Sequence, residues 1–467
     1  MAHVILWNCA PVESNDQHDE TWQLARPLGP HQIASWLRQQ GYTVKVIDFC
    51  NVMTTAELVQ ISQRHIDHRT LCIGVSSTFW VYSRPTQLNP RLAEPSWVIA
   101  ARQELEHLHP ELTWCLGGAK AGADFAHVWH TFKGDSEDAV LQWLDHLSQR
   151  RSITRARFDI RTSCHAFESD DHISPYEVLP IELGRGCMFS CKFCGFSGIG
   201  KKAGTYLRDK NMLKKEILDH HDRWGTTRFY YVDDTVNENA DKLQDLVDIA
   251  RSVPFRLEWI GYARADLISA HPHTEQMLFD SGARSLFFGI ESFEERSSQI
   301  IGKGWSGRHA KKWLLEKREK WQYDLSFSLG MIVGLPGQDP DSLHADNQWL
   351  IDHEMHNWNW TGLIIDRSNF TSEFSRNSEK YGFVFPDKLR PWYWENNNWN
   401  YDKAFDIAQQ LNIKKKVKPA GFYLGNLASV GFEFEPLMQN FLNSDLRREI
   451  LSRKTAMLQD YVRKSLA

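Results

Sequence analysis

Three cysteines, Cys187, Cys191 and Cys194, fall within eight residues as C-x3-C-x2-C in the stretch IELGRGCMFSCKFCGFSG. A structural zinc site would offer four ligands, usually as two spaced pairs, and no C-x2-C or H-x3-H partner elsewhere completes a tetrahedron. Three thiolates can instead hold three irons of a [4Fe–4S] cube, whereas simple electron-transfer clusters use four. The fourth iron is then open, so an electron can pass directly into whatever binds there. The remaining cysteines, Cys9, Cys50, Cys72, Cys115 and Cys164, are scattered. Cys9, Cys72 and Cys115 lie in or beside apolar strand-like runs, where a free thiol behaves as a small buried hydrophobe.

Elements must hold that loop in place. IELGRG reads as the end of a strand, and it opens a βα series over residues 178–370. Candidate strands are 179–186, 228–235, 256–264, 285–292, 324–337 and 360–368, with helical patterns between them. Strands that are apolar nearly throughout are buried on both faces, which implies a parallel open or closed barrel with its active residues at the strand C-termini. Upstream, residues 1–149 alternate the runs 3–8, 42–49, 71–79 and 112–118 with amphipathic stretches at 29–41, 97–109 and 136–149. That rhythm implies a Rossmann-like α/β domain whose ligand sits beyond the strand ends. Residues 150–177 are polar and aperiodic and read as a linker. Residues 371–467 form a Trp- and Asn-rich, mostly helical extension, in which Trp392, Trp394 and Trp399 read as packing the tail onto the barrel. His353 and His356 read as solvated.

The chain has 467 residues and a formal net charge of −5, enough length for two to three domains. A near-neutral balance argues against a broad nucleic-acid surface. No apolar run approaches the roughly 20 residues that span a bilayer, and the start lacks the basic and apolar regions of a secretory signal. The expected setting is cytoplasmic.

With these motifs in view, the chain resembles the radical SAM superfamily. The resemblance implies that Cys187, Cys191 and Cys194 ligate a [4Fe–4S] cluster whose open iron chelates S-adenosylmethionine, which is cleaved to a 5′-deoxyadenosyl radical. Phe193 occupies the aromatic position that packs near the adenine. VDDTVNEN resembles the acidic strand end, where Asp233 and Asp234 either make a polar SAM or substrate contact, with Asp234 the residue singled out for it, or cap the next helix. YARADLI resembles the following Arg-Ala-Asp segment, leaving Arg264 either to face a cofactor carboxylate or to pair with Asp266. FFGIES puts Glu291 where the family contacts SAM, a structural ion pair being the other role open to it. GMIVGLPG resembles the glycine-rich fifth strand, with Gly330, Gly334 and Gly337 approaching the adenine.

The domain pair resembles the subgroup that binds cobalamin (B12), with a Rossmann-like B12-binding arm before a (β/α)6 partial TIM barrel and a helical extension after it. The resemblance implies corrin contacts by Ser76, Ser77, Thr78, Gly117, Gly118 and Gly134. The cobalt-ligating motif D-x-H-x-x-G is incomplete in DQHDET: Asp16 and His18 are spaced correctly, but Thr21 replaces the glycine, and His18 reads as a solvated residue. A B12-dependent C-methyltransferase acting on an unactivated carbon is the reading favoured. The substrate would be a small molecule or peptide, and the reductant an external flavodoxin- or ferredoxin-type donor. A cobalamin-independent radical rearrangement, cyclisation or dehydrogenation, with the first domain as scaffold, stands beside it, as does a non-enzymatic corrinoid or cluster sensor. A methylthiotransferase is disfavoured: the surroundings of Cys9, Cys50 and Cys72 do not match that family, and no basic RNA-binding module follows.

Overall fold

The computed structural model describes residues 1–11, 24–80, 94–118, 121, 129–132, 134–149, 157–195, 206–355, 357–367, 371–387, 390, 392–413, 418–439 and 442–467. Two parallel sheets organise the chain. The first contains β1 (Val4–Trp7), β2 (Val44–Ile47), β3 (Cys72–Ser76), β4 (Thr113–Gly117) and β5 (His130–Thr131) in the order β2-β1-β3-β4-β5. Both faces are covered. Helices Leu28–Gln39 and Glu137–Leu147 bury Ala34, Leu37, Val140 and Leu144 on one side, and helices Thr55–His65 and Ser96–Leu108 bury Leu58, Ile61, Val98 and Leu105 on the other. This is the doubly wound arrangement expected, with two elements the sequence reading lacked. One is the helix Thr55–His65, opened by a capping box in which Thr54 and Glu57 satisfy each other's backbone N–H. The other is the two-residue β5.

The second sheet contains β6 (Leu179–Ile181), β7 (Arg228–Tyr231), β8 (Glu258–Ala263), β9 (Ala283–Glu291), β10 (Ser326–Val333) and β11 (Asn357–Gly362), all parallel in simple sequential order. It is the six-stranded open barrel anticipated. The last strand starts three residues earlier than expected, because Asn357–Gly362 alternates: Trp358 and Trp360 are buried and both indoles donate to Asn347 Oδ1 at 2.9 Å. Period-two burial, not the apolar run GLII, fixes that ladder.

The stretch read as a linker packs tightly where it is described. Phe167 belongs to the barrel core, and the backbone N–H of His165 donates to Glu216 at 2.9 Å. Arg26 pairs with Asp48 at 2.5 Å and with Glu177 at 2.6 Å, all three being buried. His31 adds a 2.9 Å contact to Asp48, and the Arg26 guanidinium lies over the Phe49 and Tyr461 rings. Removing one partner of such a buried set typically costs about 3–5 kcal/mol, because a charge is left unpaired.

The tail returns to both domains. Helix Ser444–Leu466 packs on the first one, where the Tyr461 hydroxyl accepts from the backbone N–H of Asp48 at 2.9 Å. Helix Phe422–Ala428 lies across the interior face of the barrel against Ile260.

Candidate functional site

Parallel sheets gather their strand C-termini at one edge, where a ligand can reach the ends of several strands at once. Here the C-terminal edges of both sheets face a shared cavity of about 770 Å³. From the first domain it is lined by Ser76, Thr78, Gly117, Gly118 and Gly134, and from the barrel by Cys187, Cys191, Phe193, Cys194, Asp234, Arg264 and Glu291. One cavity therefore collects twelve of the residues singled out in the sequence.

The three cysteines are partly exposed and form no disulfide. Their loop leaves β6 through Gly186 at φ +76°. It is pinned by backbone bonds from Lys192 N–H to Ile301 O at 3.1 Å and from Phe374 N–H to Lys192 O at 3.0 Å. Cys187 Sγ lies 3.6 Å from the Thr235 hydroxyl. The described group of three ligands whose atoms lie within 4.8 Å of one another is His165, Glu216 and His220, not the cysteines. Three thiols on one loop, all opening onto the cavity, are a donor set that fits an iron–sulfur cluster with one corner left open. The His165–Glu216–His220 group is engaged otherwise: Arg208 donates to both Glu216 oxygens at 3.0 and 2.8 Å.

Asp233 and Asp234 divide their work. Asp233 is buried; it accepts from Leu183 N–H at 2.7 Å and pairs with Lys242 at 2.8 Å, so it braces the fold while burial pushes its pKa up. Asp234 faces the cavity. Arg264 forks onto Asp266, at 3.0 and 2.5 Å, and directs its remaining nitrogen to Cys191 Sγ at 3.5 Å. Glu291 ends β9 with φ +68°. A non-glycine residue held there costs of order 1–3 kcal/mol and persists only where its surroundings enforce it. Its carboxylate lies 3.5 Å from Lys303, which also donates to Gly289 O at 2.7 Å. Burial raises the Glu291 pKa, and Lys303 opposes that rise.

Four residues singled out for cofactor contact are placed differently. Ser77 is fully buried and its hydroxyl donates to Gly117 O at 2.8 Å, behind the cavity wall. The three glycines of GMIVGLPG are not among the cavity-lining residues. A Cβ on Gly330 would stand 2.6 Å from the Phe287 ring, one on Gly334 2.6 Å from Trp394, and one on Gly337 3.1 Å from Arg296. These glycines admit protein side chains. Trp394, which also donates to Leu363 O at 2.9 Å, is the tail residue that fills the space above Gly334. Gly117 and Gly134 behave in the opposite way, since a Cβ there would meet nothing within 4 Å. Both turn bare backbone to open space, as a cradle for a bulky ligand would.

Several lining residues were not anticipated: Glu182, Arg185, Tyr230, Thr235, Tyr262, Phe287 and Lys303. Arg185 is the most connected. Two residues before Cys187, it reaches the first domain at Asp135 (3.2 Å) and Glu137 (2.6 Å), and Glu182 on its own side (2.9 Å). Its signal was present in GRGC, but its partners lie about 50 residues away in sequence. The motif DQHDET, with His18, lies outside the described residues, as does His356.

Comparison with known proteins places this geometry. Residues 181–350 match the model of the radical SAM superfamily. Among curated proteins, an uncharacterized methyltransferase from Pyrococcus horikoshii is 25% identical over 68% of this chain and 72% of its own length. A cytidylyl-2-hydroxyethylphosphonate methyltransferase from Streptomyces wedmorensis is 22% identical over 78% of this chain and 79% of its own. A tRNA-2-methylthio-N(6)-dimethylallyladenosine synthase from Burkholderia vietnamiensis is 25% identical, but over 54% of this chain and 58% of its own length. Among solved structures, the radical S-adenosylmethionine methyltransferase TsrM from Kitasatospora setae, with cobalamin and a [4Fe–4S] cluster bound, superposes with TM-score 0.58 at 13% identity, covering 81% of this chain and 78% of that one. OxsB, a cobalamin-dependent S-adenosylmethionine radical enzyme, superposes with TM-score 0.55 at 14% identity over 99% and 72%. Residues 181–350 thus form a radical SAM domain, the chain is an enzyme, and it shares the fold of these structures. Among the described residues no helix is long and apolar enough to cross a membrane.

Proposed function

We propose that the protein is a cobalamin-dependent radical SAM methyltransferase that transfers a methyl group to an unactivated carbon. The observation that carries this reading is the single cavity joining the three-cysteine loop to the glycine-lined edge of the first sheet. When bound, the cluster supplies the electron that cleaves a SAM sulfonium, and the corrinoid supplies the transferable methyl group.

The residues of the chain divide the remaining work. Cys187, Cys191 and Cys194 hold the cluster and leave one corner unligated by protein. Phe193 packs beside it, and Asp234 and Glu291, at the ends of β7 and β9, face the space where SAM would lie. Lys303 holds the Glu291 carboxylate through a partly buried contact, which keeps it aimed into the cavity. Gly117 and Gly134 leave room for the corrin with Ser76 and Thr78 at its border, and Gly118, whose Cβ would stand 2.6 Å from the Thr78 hydroxyl, lets the two strand-end loops close on each other. Arg185 ties the two halves across the cavity. The wall formed by Tyr230, Tyr262 and Phe287, backed by Phe422 from the tail, excludes water from the reacting centre. An external one-electron donor in the cytoplasm would complete the cycle.

Anaerobically purified protein, supplied with a corrinoid and SAM, tests the reading. Retention of corrinoid beside an intact cluster, with label from methyl-SAM appearing in an acceptor from cell extract, is expected. An intact cluster with no corrinoid retained would favour the cobalamin-free alternative.

A further inference from the structure

Arg264 is the residue whose surroundings say most that the proposed function does not use. It sits at the end of β8 and caps the helix Ala265–Ala270. Its backbone is locked on both sides by one side chain: Asn237 Oδ1 accepts from its N–H at 2.8 Å, and Asn237 Nδ2 donates to its carbonyl at 2.9 Å. The guanidinium is fixed in turn. Two nitrogens fork onto Asp266, its plane lies 4.1 Å from the Phe189 ring centroid, and the third nitrogen stops 3.5 Å from Cys191 Sγ. An arginine seeking a substrate carboxylate would keep its fork free. This one spends the fork on Asp266 and presents a single N–H to a sulfur.

We infer that Arg264 is a positioning residue that donates a hydrogen bond to the Cys191 thiolate and thereby raises the reduction potential of the cluster. The inference rests on the cluster assignment above. The physical basis is that a cation and an N–H donor beside a ligating sulfur stabilise the extra negative charge of the reduced cluster more than that of the oxidised one. Phe189 and Asp266 set the angle and keep the side chain from swinging toward the open corner. Sequence alone left Arg264 divided between a cofactor carboxylate and Asp266; the geometry gives it Asp266 and a cluster sulfur.

The test is a redox titration of the reconstituted full-length protein, followed by the electron paramagnetic resonance signal of the reduced cluster, on wild type, Arg264→Gln and Arg264→Lys. SAM affinity is measured alongside on the oxidised protein. The expected result is a midpoint potential shifted to more negative values in Arg264→Gln, a smaller shift in Arg264→Lys, which keeps the charge but cannot both fork and donate, and SAM affinity within twofold of wild type. An unchanged potential with SAM affinity weakened tenfold or more would overturn the inference and return Arg264 to the cofactor carboxylate. Iron and labile sulfide per chain are counted first. Should Arg264→Gln not hold four irons, Arg264→Lys decides alone, a potential equal to wild type refuting the inference. Failure of the cluster assignment itself is distinct, because wild type would then show no cluster signal.

Discussion

The two sheets present opposite chemistry to the same cavity. The barrel edge offers side chains with heads: three thiols, the carboxylates of Asp234 and Glu291, and the charge of Arg264. The first sheet offers mainly what is missing, the bare backbone of Gly117 and Gly134 with the small side chains of Ser76 and Thr78 beside it. On the proposed reading, one edge acts on atoms and the other fits a shape. The difference predicts that substitutions on the two sides fail differently.

The largest effect is expected at the barrel edge. Cys191→Ala removes one of three sulfurs from a loop whose backbone pins, at Lys192 and Phe374, do not involve the thiol. Cluster iron and SAM cleavage should fall to background, while the thermal transition stays within a few degrees of wild type. Iron analysis, 5′-deoxyadenosine yield and calorimetry check this. A fold that collapses with the cluster would break the claim that the loop is held independently.

Next comes the shape side. Gly117 has open space at its Cβ position and is not among the positive-φ glycines. Gly117→Leu should therefore leave folding and cluster content near wild type while weakening corrinoid binding at least tenfold, measured by equilibrium dialysis. Gly334→Ala sharpens the contrast. It forces a Cβ into Trp394 at a residue with φ +100°, so about 2–4 kcal/mol of stability should be lost, with corrinoid affinity unchanged in the protein that remains folded.

The seam between the sheets should show a smaller effect. Arg185→Gln cuts the contacts to Asp135 and Glu137. It should retain both the cluster and the corrinoid but uncouple them, raising the ratio of 5′-deoxyadenosine to methylated product several-fold. An unchanged ratio would show that the tail and the Arg26 network alone hold the two halves in register.

The smallest effect is on pH dependence. Burial, with His165 beside it, lowers the His220 pKa to about 3. The unfolded chain, with histidine near 6.5, binds the extra proton first. The contribution is full above pH 6.5 and is lost progressively as pH falls toward 3. Glu216 acts in the same direction: burial alone would raise it, but His165 and Arg208 hold it well below the usual carboxylate range. Urea unfolding at pH 7 and pH 5 should show stability lower at pH 5 by on the order of 1–2 kcal/mol, and His220→Leu should flatten that difference.

Legibility in the sequence followed the same division. The cysteine loop and the strand-end acids could be read because a thiolate or carboxylate at a fixed spacing announces its chemistry locally. The order of the barrel strands followed from apolar runs separated by helical patterns. Glycines were ambiguous, since a glycine facing a ligand and one facing a tryptophan look alike until the partner is in place; Gly117 and Gly334 are the two cases. Ser77 looked like its neighbours Ser76 and Thr78 but turns inward. The helix Thr55–His65 was overlooked although Thr54 and Glu57 carry its capping box. Arg185, the Arg26 network and Tyr461 could not be read because their partners lie tens to hundreds of residues away.

The central claim is that three sulfurs leave one corner of an iron–sulfur cube open to SAM. Electron paramagnetic resonance of the anoxically reconstituted, reduced protein, recorded with and without SAM, tests it most directly. Four irons per chain and a signal that changes shape when SAM is added are expected. Zinc in the loop, or a cluster signal indifferent to SAM, would contradict the account.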